Sequence, residues 1–218
     1  MKKIVTNGRL AALLVVAALV IDQVIKIWVK THMYRGQSIR ITDWFYIYFT
    51  ENNGMAFGME IVGKLFLTSF RLIAAILIIY YMVKLLRKGL AQRGFIVCLS
   101  LILAGALGNI IDCLFYGLIF SESTLSSIAH FVPMGEGYES LMYGRVVDMF
   151  YFPIIDTYWP TWMPLVGGSH FIFFSPIFNF ADACISCGVI ALLLFYSNNL
   201  RSLNQDIKEE PKETKETK

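Results

Sequence analysis

Four long apolar stretches constrain this chain more than any other feature of its sequence. They cover about 10–30, 65–83, 94–116 and 177–197. Each is long enough to cross a hydrocarbon layer of roughly 30 Å, which takes about 20 helical residues. Lipid offers the backbone no water to bond, so such spans close their hydrogen bonds internally as helices. Composition agrees: 56% of the 218 residues are hydrophobic and only 16% are charged, against about 25% charged in a soluble domain. The expected fold class is an all-α membrane protein with four transmembrane helices.

Basic residues give the orientation. Lys2, Lys3 and Arg9 precede the first span, and Lys84, Arg87, Lys88 and Arg93 fill the link between the second and third. Arg201, Lys208, Lys212, Lys215 and Lys218 follow the fourth. The positive-inside rule places all of these, and both termini, in the cytoplasm. The net charge of +3 therefore reports topology, and no nucleic-acid partner is expected. The first span begins like a signal peptide, but it lacks a small-x-small cleavage site and carries Asp22 and Lys26. It reads as a retained helix. A membrane domain over 1–204 and a disordered, charged cytoplasmic tail over 205–218 complete the expected organisation.

The external regions are then about 31–64 and 117–176. In the first, Ile41, Asp43, Phe45, Ile47 and Phe49 alternate with Thr42, Trp44, Tyr46, Tyr48 and Thr50, a period-two pattern that predicts a strand. Asn53-Gly54 reads as a tight turn. So many aromatic residues suit a small sheet at the headgroup level. In the second region Gly135-Glu136-Gly137, Trp159-Pro160 and Gly167-Gly168 divide the chain into turns and short pieces. A small external β-rich cradle and an enlarged external loop region are expected. Cys184 and Cys187 form a C-x-x-C inside an apolar helix with no second pair; they read as small residues at helix contacts.

Ionisable groups inside a span cost roughly 2.5–3.5 kcal/mol each, which makes them functional candidates. Asp22 and Asp112 fall in the outer halves of their spans, and Asp182 about five residues below the outer start of the fourth. At 1.5 Å per residue all three lie within roughly 12 Å of an outer helix end. Asp148 follows in the external stretch before the fourth span. Lys26 stands four residues after Asp22, a stabilising pair on one helix face. Asn109 stands three before Asp112, beside Ala104, Gly105 and Gly108, where a second helix can approach closely. Asp22 and Asp112 read mainly as framework. Asp182 has Asn179 three residues earlier and no cation within a turn, and Val147 and Met149 desolvate Asp148. These two look tuned for chemistry. Two carboxyls held close in a low-dielectric site share a proton; such a pair can activate water and protonate a leaving amine.

Two other readings use the same residues. A transporter also buries carboxylates, but around the midplane between repeated halves, whereas these gather toward one face in a chain without an internal repeat. An adaptor would use its external aromatic loops to bind another membrane protein, its acids merely joining helices. His32, His130 and His170 are scattered over external loops without ligand spacing, and neither metal nor organic cofactor is expected.

Five blocks in order along the chain resemble one family. They are Asp22-Gln23-Val24-Ile25-Lys26, Asn52-Asn53-Gly54-Met55-Ala56-Phe57, the run from Gly105 to Asp112 (GALGNIID), Val146-Val147-Asp148-Met149-Phe150, and Phe178-Asn179-Phe180-Ala181-Asp182. The family is signal peptidase II, an intramembrane aspartyl protease of bacteria. The resemblance implies removal of signal peptides from prolipoproteins, just ahead of a diacylglyceryl-modified cysteine. It implies a catalytic dyad of Asp148 and Asp182, with Asp22, Lys26, Asn53, Gly54, Asn109, Asp112 and Asn179 in supporting roles. It also implies a multi-pass protein of the bacterial inner membrane, in contact with lipid, acting as a monomer near the outer face and inhibited by globomycin. The sequence departs from the family pattern in two places. Cys113 stands where the family usually has an arginine after the third-block Asp, and Arg145 is the candidate to supply that charge. The stretches 113–143 and 151–175 are longer than in compact members, which fits an enlarged lid over the site and equally a surface for a partner.

Overall fold

The computed structural model describes residues 2–52, 62–89 and 92–208, with side chains over 7–52, 63–89 and 92–197. Its elements run α1 (Lys2–His32), β1 (Ser38–Thr42), β2 (Phe45–Asn52), α2 (Val62–Lys88) and α3 (Arg93–Ile111). A π turn (Asp112–Tyr116) and the short α4 (Gly117–Ile119) extend α3. Then come β3 (Val146–Tyr151), β4 (Ile155–Tyr158), β5 (His170–Phe173), β6 (Ile177–Phe178) and α5 (Phe180–Lys208). Among the described residues, four helical stretches are long and apolar enough to cross a membrane: Asn7–His32, Gly63–Lys88, Arg93–Ile119 and Phe180–Ser197.

The third span is the central one, packed by α1, α2 and α5. Phe95, Ile96, Leu99 and Leu103 meet Ala75, Met82 and Leu85 of α2, Leu192 of α5 and Ala11 of α1 in one apolar cluster. Leu13, Phe66, Phe70, Leu193 and Phe195 are exposed on the outward faces of the other helices, as lipid-facing residues should be. Small residues let the helices close up near the site. A Cβ at Gly105 would lie 2.2 Å from the Ala181 carbonyl oxygen, and one at Gly108 would lie 2.6 Å from Asp22 Oδ2. Cys184 packs with Ala18 and Ala104 in a separate small contact.

The chain between the spans forms an antiparallel sheet in the order β1-β2-β3-β6 and a separate hairpin of β4 and β5. The small β-rich cradle is present as expected, but the architecture is mixed helix and sheet and not all-α: strands satisfy backbone groups of the aromatic segments between the spans that helices do not reach. The alternating run after Ile41 is not one strand. It breaks between Thr42 and Phe45 into β1 and β2, which pair as a hairpin, with exposed Arg40 and Asp43 ion-paired beside the break. The expected turn at Asn53-Gly54 lies outside the described residues. The last span begins at Phe180 because Ile177 and Phe178 pair with β3. Asp182 therefore sits in the first turn of α5. That helix continues through Lys208, past the point where the charged tail was expected to begin.

Candidate functional site

The site is assembled where the C-terminal ends of α1 and α3 and the N-terminal end of α5 meet strand β3. Its base is ionic and fully enclosed. Lys26 Nζ lies 3.0 Å from Asp22 Oδ2 and 2.7 Å from Asp112 Oδ2, with no more than 2% of any of these side chains exposed. Gln23, one residue along α1, ties the same two acids together, donating to Asp22 Oδ2 and Asp112 Oδ1 at 3.1 Å each. Tyr116, in the π turn, donates its hydroxyl to Gln23 Oε1 at 3.1 Å. Burying charge is tolerable only when it is paired and bonded in this way.

Each framework acid then reaches a backbone amide beside a candidate catalytic residue. Asp22 Oδ1 accepts the Ala181 N–H at 2.9 Å, and Asp112 Oδ2 accepts the Val147 N–H at 3.3 Å. Ala181 and Val147 immediately precede Asp182 and Asp148. The triad on α1 and α3 thus fixes the backbone that carries both.

Two asparagines connect this base to the carboxyls above it. Asn109 Oδ1 accepts from Lys26 Nζ at 2.9 Å, while its Nδ2 donates to Asp182 Oδ1 at 2.8 Å. Asn179 Nδ2 donates to Asn109 Oδ1 at 3.2 Å and to Asp148 Oδ1 at 2.7 Å. Asn179 and Asp182 also cap α5 reciprocally. The Asp182 N–H donates to Asn179 Oδ1 at 2.9 Å, and the Asn179 N–H to Asp182 Oδ2 at 3.3 Å. This is the geometry of a capping box, and it explains the three-residue spacing of the pair.

The two carboxyls occupy different surroundings. Asp148 is buried, only 3% exposed. Burial first, and then the charge of Asp182, push its carboxyl up to about 7, against hydrogen bonds from Asn179 and Asn52. Asp182 is half-buried, has donors on both oxygens and sits at a helix N-terminus, which favours negative charge.

Of the residues singled out from the sequence, Asp22, Lys26, Asn109, Asp112, Asp148, Asn179 and Asp182 are joined in this one network. Asn53 and Gly54 lie outside the described residues. Arg145 stands apart: its guanidinium pairs with Glu51 at 3.3 Å and Glu122 at 3.1 Å and lies 4.9 Å from the centroid of the Tyr138 ring. That cluster also holds Lys30, ion-paired to Glu51 and 3.0 Å from Ser123 Oγ, and it clamps the 120–145 loop to α1 and β2. Beside Cys113 the cation is Arg71 of α2, its Nη1 3.5 Å from the thiol sulfur.

Gln23, Asn52 and Tyr116 are site residues that sequence reasoning passed over. Gln23 was visible inside the first block, flanked by the acid it bonds. Asn52 follows from strand parity. Thr50 pairs with Asp148 across β2 and β3, so Asn52, two residues on, shares the face of Asp148 as a diagonal neighbour.

Comparison with known proteins gives the family. The family described as signal peptidase (SPase) II matches residues 14–197. Lipoprotein signal peptidases from two strains of Porphyromonas gingivalis, ATCC 33277 and W83, are 53% identical over 210 residues, covering 96% of this chain and 92% of theirs. One from Amoebophilus asiaticus is 37% identical, covering 81% of this chain and 73% of its own. A solved bacterial membrane enzyme, determined by the in meso method at 1.9 Å resolution, aligns with a TM-score of 0.54 at 28% identity, covering 84% of this chain and 90% of that one. The chain belongs to the signal peptidase II family.

Proposed function

We propose that this chain is a membrane-embedded aspartic endopeptidase that removes signal peptides from prolipoproteins, cutting ahead of the diacylglyceryl-modified cysteine. The observation that carries the reading is the Asn109–Asn179 bridge, which brings Asp148 and Asp182 to one point at the end of the spans. Asp182, supplied with donors, acts as the base: it takes a proton from water as the water oxygen attacks the scissile carbonyl carbon. Asp148, which keeps its proton to about pH 7, donates it to the carbonyl oxygen. The tetrahedral intermediate collapses, the carbon–nitrogen bond breaks and a proton reaches the leaving amine. Activity then requires one proton between the two carboxyls. Lys26, Asp22 and Asp112 hold the backbone on both sides and touch no substrate.

The peptidase occupies 1–204 as one domain with a charged tail over 205–218. It works as a monomer in the bacterial inner membrane, with both termini in the cytoplasm and the dyad near the outer face. Substrate lipid stays in the bilayer while the extended signal segment enters from the side. Globomycin occupies the same site, and Gly54, Asn53 and Arg145 support it from the external regions. The test is cleavage of a diacylglyceryl prolipoprotein by the intact chain and by Asp148→Asn and Asp182→Asn, with and without globomycin. Both variants should lose cleavage, and globomycin should block the intact chain. Near-normal turnover by either variant would end the dyad assignment.

A further inference from the structure

One face of α2 carries three polar residues, Lys64, Thr68 and Arg71, spaced four and three apart as helical neighbours are. The first two are engaged with the loop that enters β3. Lys64 Nζ donates to the Tyr143 carbonyl and Thr68 Oγ1 to the Met142 carbonyl at 3.4 Å. Met142 is held at φ 71°, a left-handed conformation uncommon for a residue with a side chain. These two bonds therefore fix a strained turn shortly before the strand that carries Asp148.

Arg71 is different. It is half-buried, and its one polar contact among the described residues is the Cys113 sulfur at 3.5 Å. A thiol is a weak acceptor, and a guanidinium offers five donors in a planar fork. Arg71 lies within the span that begins at Gly63, roughly 12 Å along the helix from its outer end. An unmatched cation at that depth is costly and marks a functional position. It is also close to the chemistry in bonded terms. Asp112 and Cys113 are consecutive in the π turn, a feature frequent at functional sites. The Asp112 carboxylate turns to Lys26 and the Val147 N–H, while the Cys113 thiol turns to α2. The guanidinium thus stands on the α2 side of the same turn that supports Asp148.

We infer that Arg71 is a substrate-binding residue, whose guanidinium takes main-chain carbonyl oxygens of the prolipoprotein's extended signal segment beside the dyad. This rests on the peptidase reading above. It also assigns to α2, rather than to Arg145, the positive charge that faces Cys113.

The test compares Arg71→Leu, Arg71→Lys and the double variant Arg71→Leu with Cys113→Arg, using the full chain. Cleavage of a diacylglyceryl prolipoprotein gives kcat and KM. Affinity for the uncleaved prolipoprotein, measured in an Asp182→Asn background, gives a readout independent of turnover. Losing charge-assisted hydrogen bonds should lower kcat/KM of Arg71→Leu by roughly 10- to 100-fold, mostly through KM, with a matching loss of affinity. Arg71→Lys should retain part of both. The double variant should recover most of the loss, because an arginine at 113 starts from the atom the guanidinium now touches. Kinetics and affinity of Arg71→Leu within twofold of the parent would overturn the inference, as would a change confined to thermal stability. So would a loss seen in phospholipid bilayers and absent in detergent, which assigns the acceptor to lipid phosphate. If the parent chain neither binds nor cleaves prolipoprotein, the peptidase reading itself fails, and that result is distinct from any of these.

Discussion

The two sheets between the spans use similar residues to opposite ends. The β1-β2-β3-β6 sheet and the β4–β5 hairpin are both rich in aromatic and β-branched side chains. In the first, Phe49, Val147 and Met149 are wholly buried against Val29 of α1, Met33 just after it and Tyr116 of the π turn, and the Val147 amide is bonded to Asp112. In the second, β4 is exposed throughout, the two strands pack almost wholly on each other, and Trp162 is 77% exposed at the tip. An isolated two-stranded hairpin is marginal in water. The difference teaches where precision comes from. Asp148 lies on the strand that is fastened, as the proposed sharing of a proton with Asp182 would require.

The largest way to break this comparison is to remove a carboxyl from the fastened region. Asp148→Asn and Asp182→Asn should each lower cleavage by about 10²- to 10⁴-fold, the usual worth of a positioned acid or base. Asp148→Asn should also be more stable than the parent, in a pH-dependent way. The folded carboxyl holds its proton to about 7 against an ordinary 3.8, so the folded state binds more protons than the unfolded one between those values. The parent therefore loses stability as pH rises from about 4 to 7, by about 1.4 kcal/mol per unit at most, and the loss is complete above that. Asparagine does not titrate. Its advantage should be absent near pH 3, grow through this window and then level off, as read by thermal unfolding at each pH. The alkaline limb of the parent's activity should have its midpoint near 7. Unchanged activity from pH 6 to 9 would remove Asp148 as the proton carrier.

Next in size is the ionic base. Lys26→Met leaves Asp22 and Asp112 buried and facing each other without their cation. Breaking a buried pair from one side costs about 3–5 kcal/mol, and here the loss should appear both in denaturant stability and in cleavage, because the segments that carry Asp148 and Asp182 are bonded to those acids. A Lys26→Met variant that melts with the parent would show that the triad is not what fastens the sheet. A smaller effect is expected at Asn52→Ala, which removes one hydrogen bond from Asp148. It should lower kcat about tenfold and leave the melting temperature nearly unchanged. An equal effect from Asn53→Ala would show that strand parity does not select the asparagine.

Much of this was legible in the sequence, for definite physical reasons. Spans are written as runs of apolar residues. Buried acids stand out against them, so Asp22, Asp112 and Asp182 could be read with their helical neighbours Lys26, Asn109 and Asn179. What escaped depends on pairing across the chain. That Asn52 faces the site is decided by the register of β2 on β3, and that is not a property of the residue alone. The Lys30–Glu51–Ser123–Arg145 cluster joins four separate segments, and no spacing rule reports it. Arg71 is a cation within the second span and carries the same insertion cost as the acids, but its contact is Cys113 of another segment, which no spacing along α2 reports. The start of α5 was set too early because Ile177 and Phe178 are as apolar as the helix that follows them.

The smallest effect should come from the unfastened region. Replacing 155–173 by a short Gly-Ser linker removes β4, β5 and the tip, but none of the bonds that hold Asp148 or Asp182 in place. Cleavage in detergent should stay within about twofold of the parent. Amide exchange in the intact chain should show why: β4 and β5 open locally at low cost, whereas β3 opens only with the fold it belongs to. The informative condition is a bilayer. Protection of β4 and β5 that appears only after reconstitution would mean that lipid covers the hairpin, and that its aromatic residues belong to the membrane interface. Strong protection already present in detergent, or a large loss of cleavage on its removal, would mean that the hairpin is fastened to the site after all. The contrast between the two sheets would then be one of exposure alone.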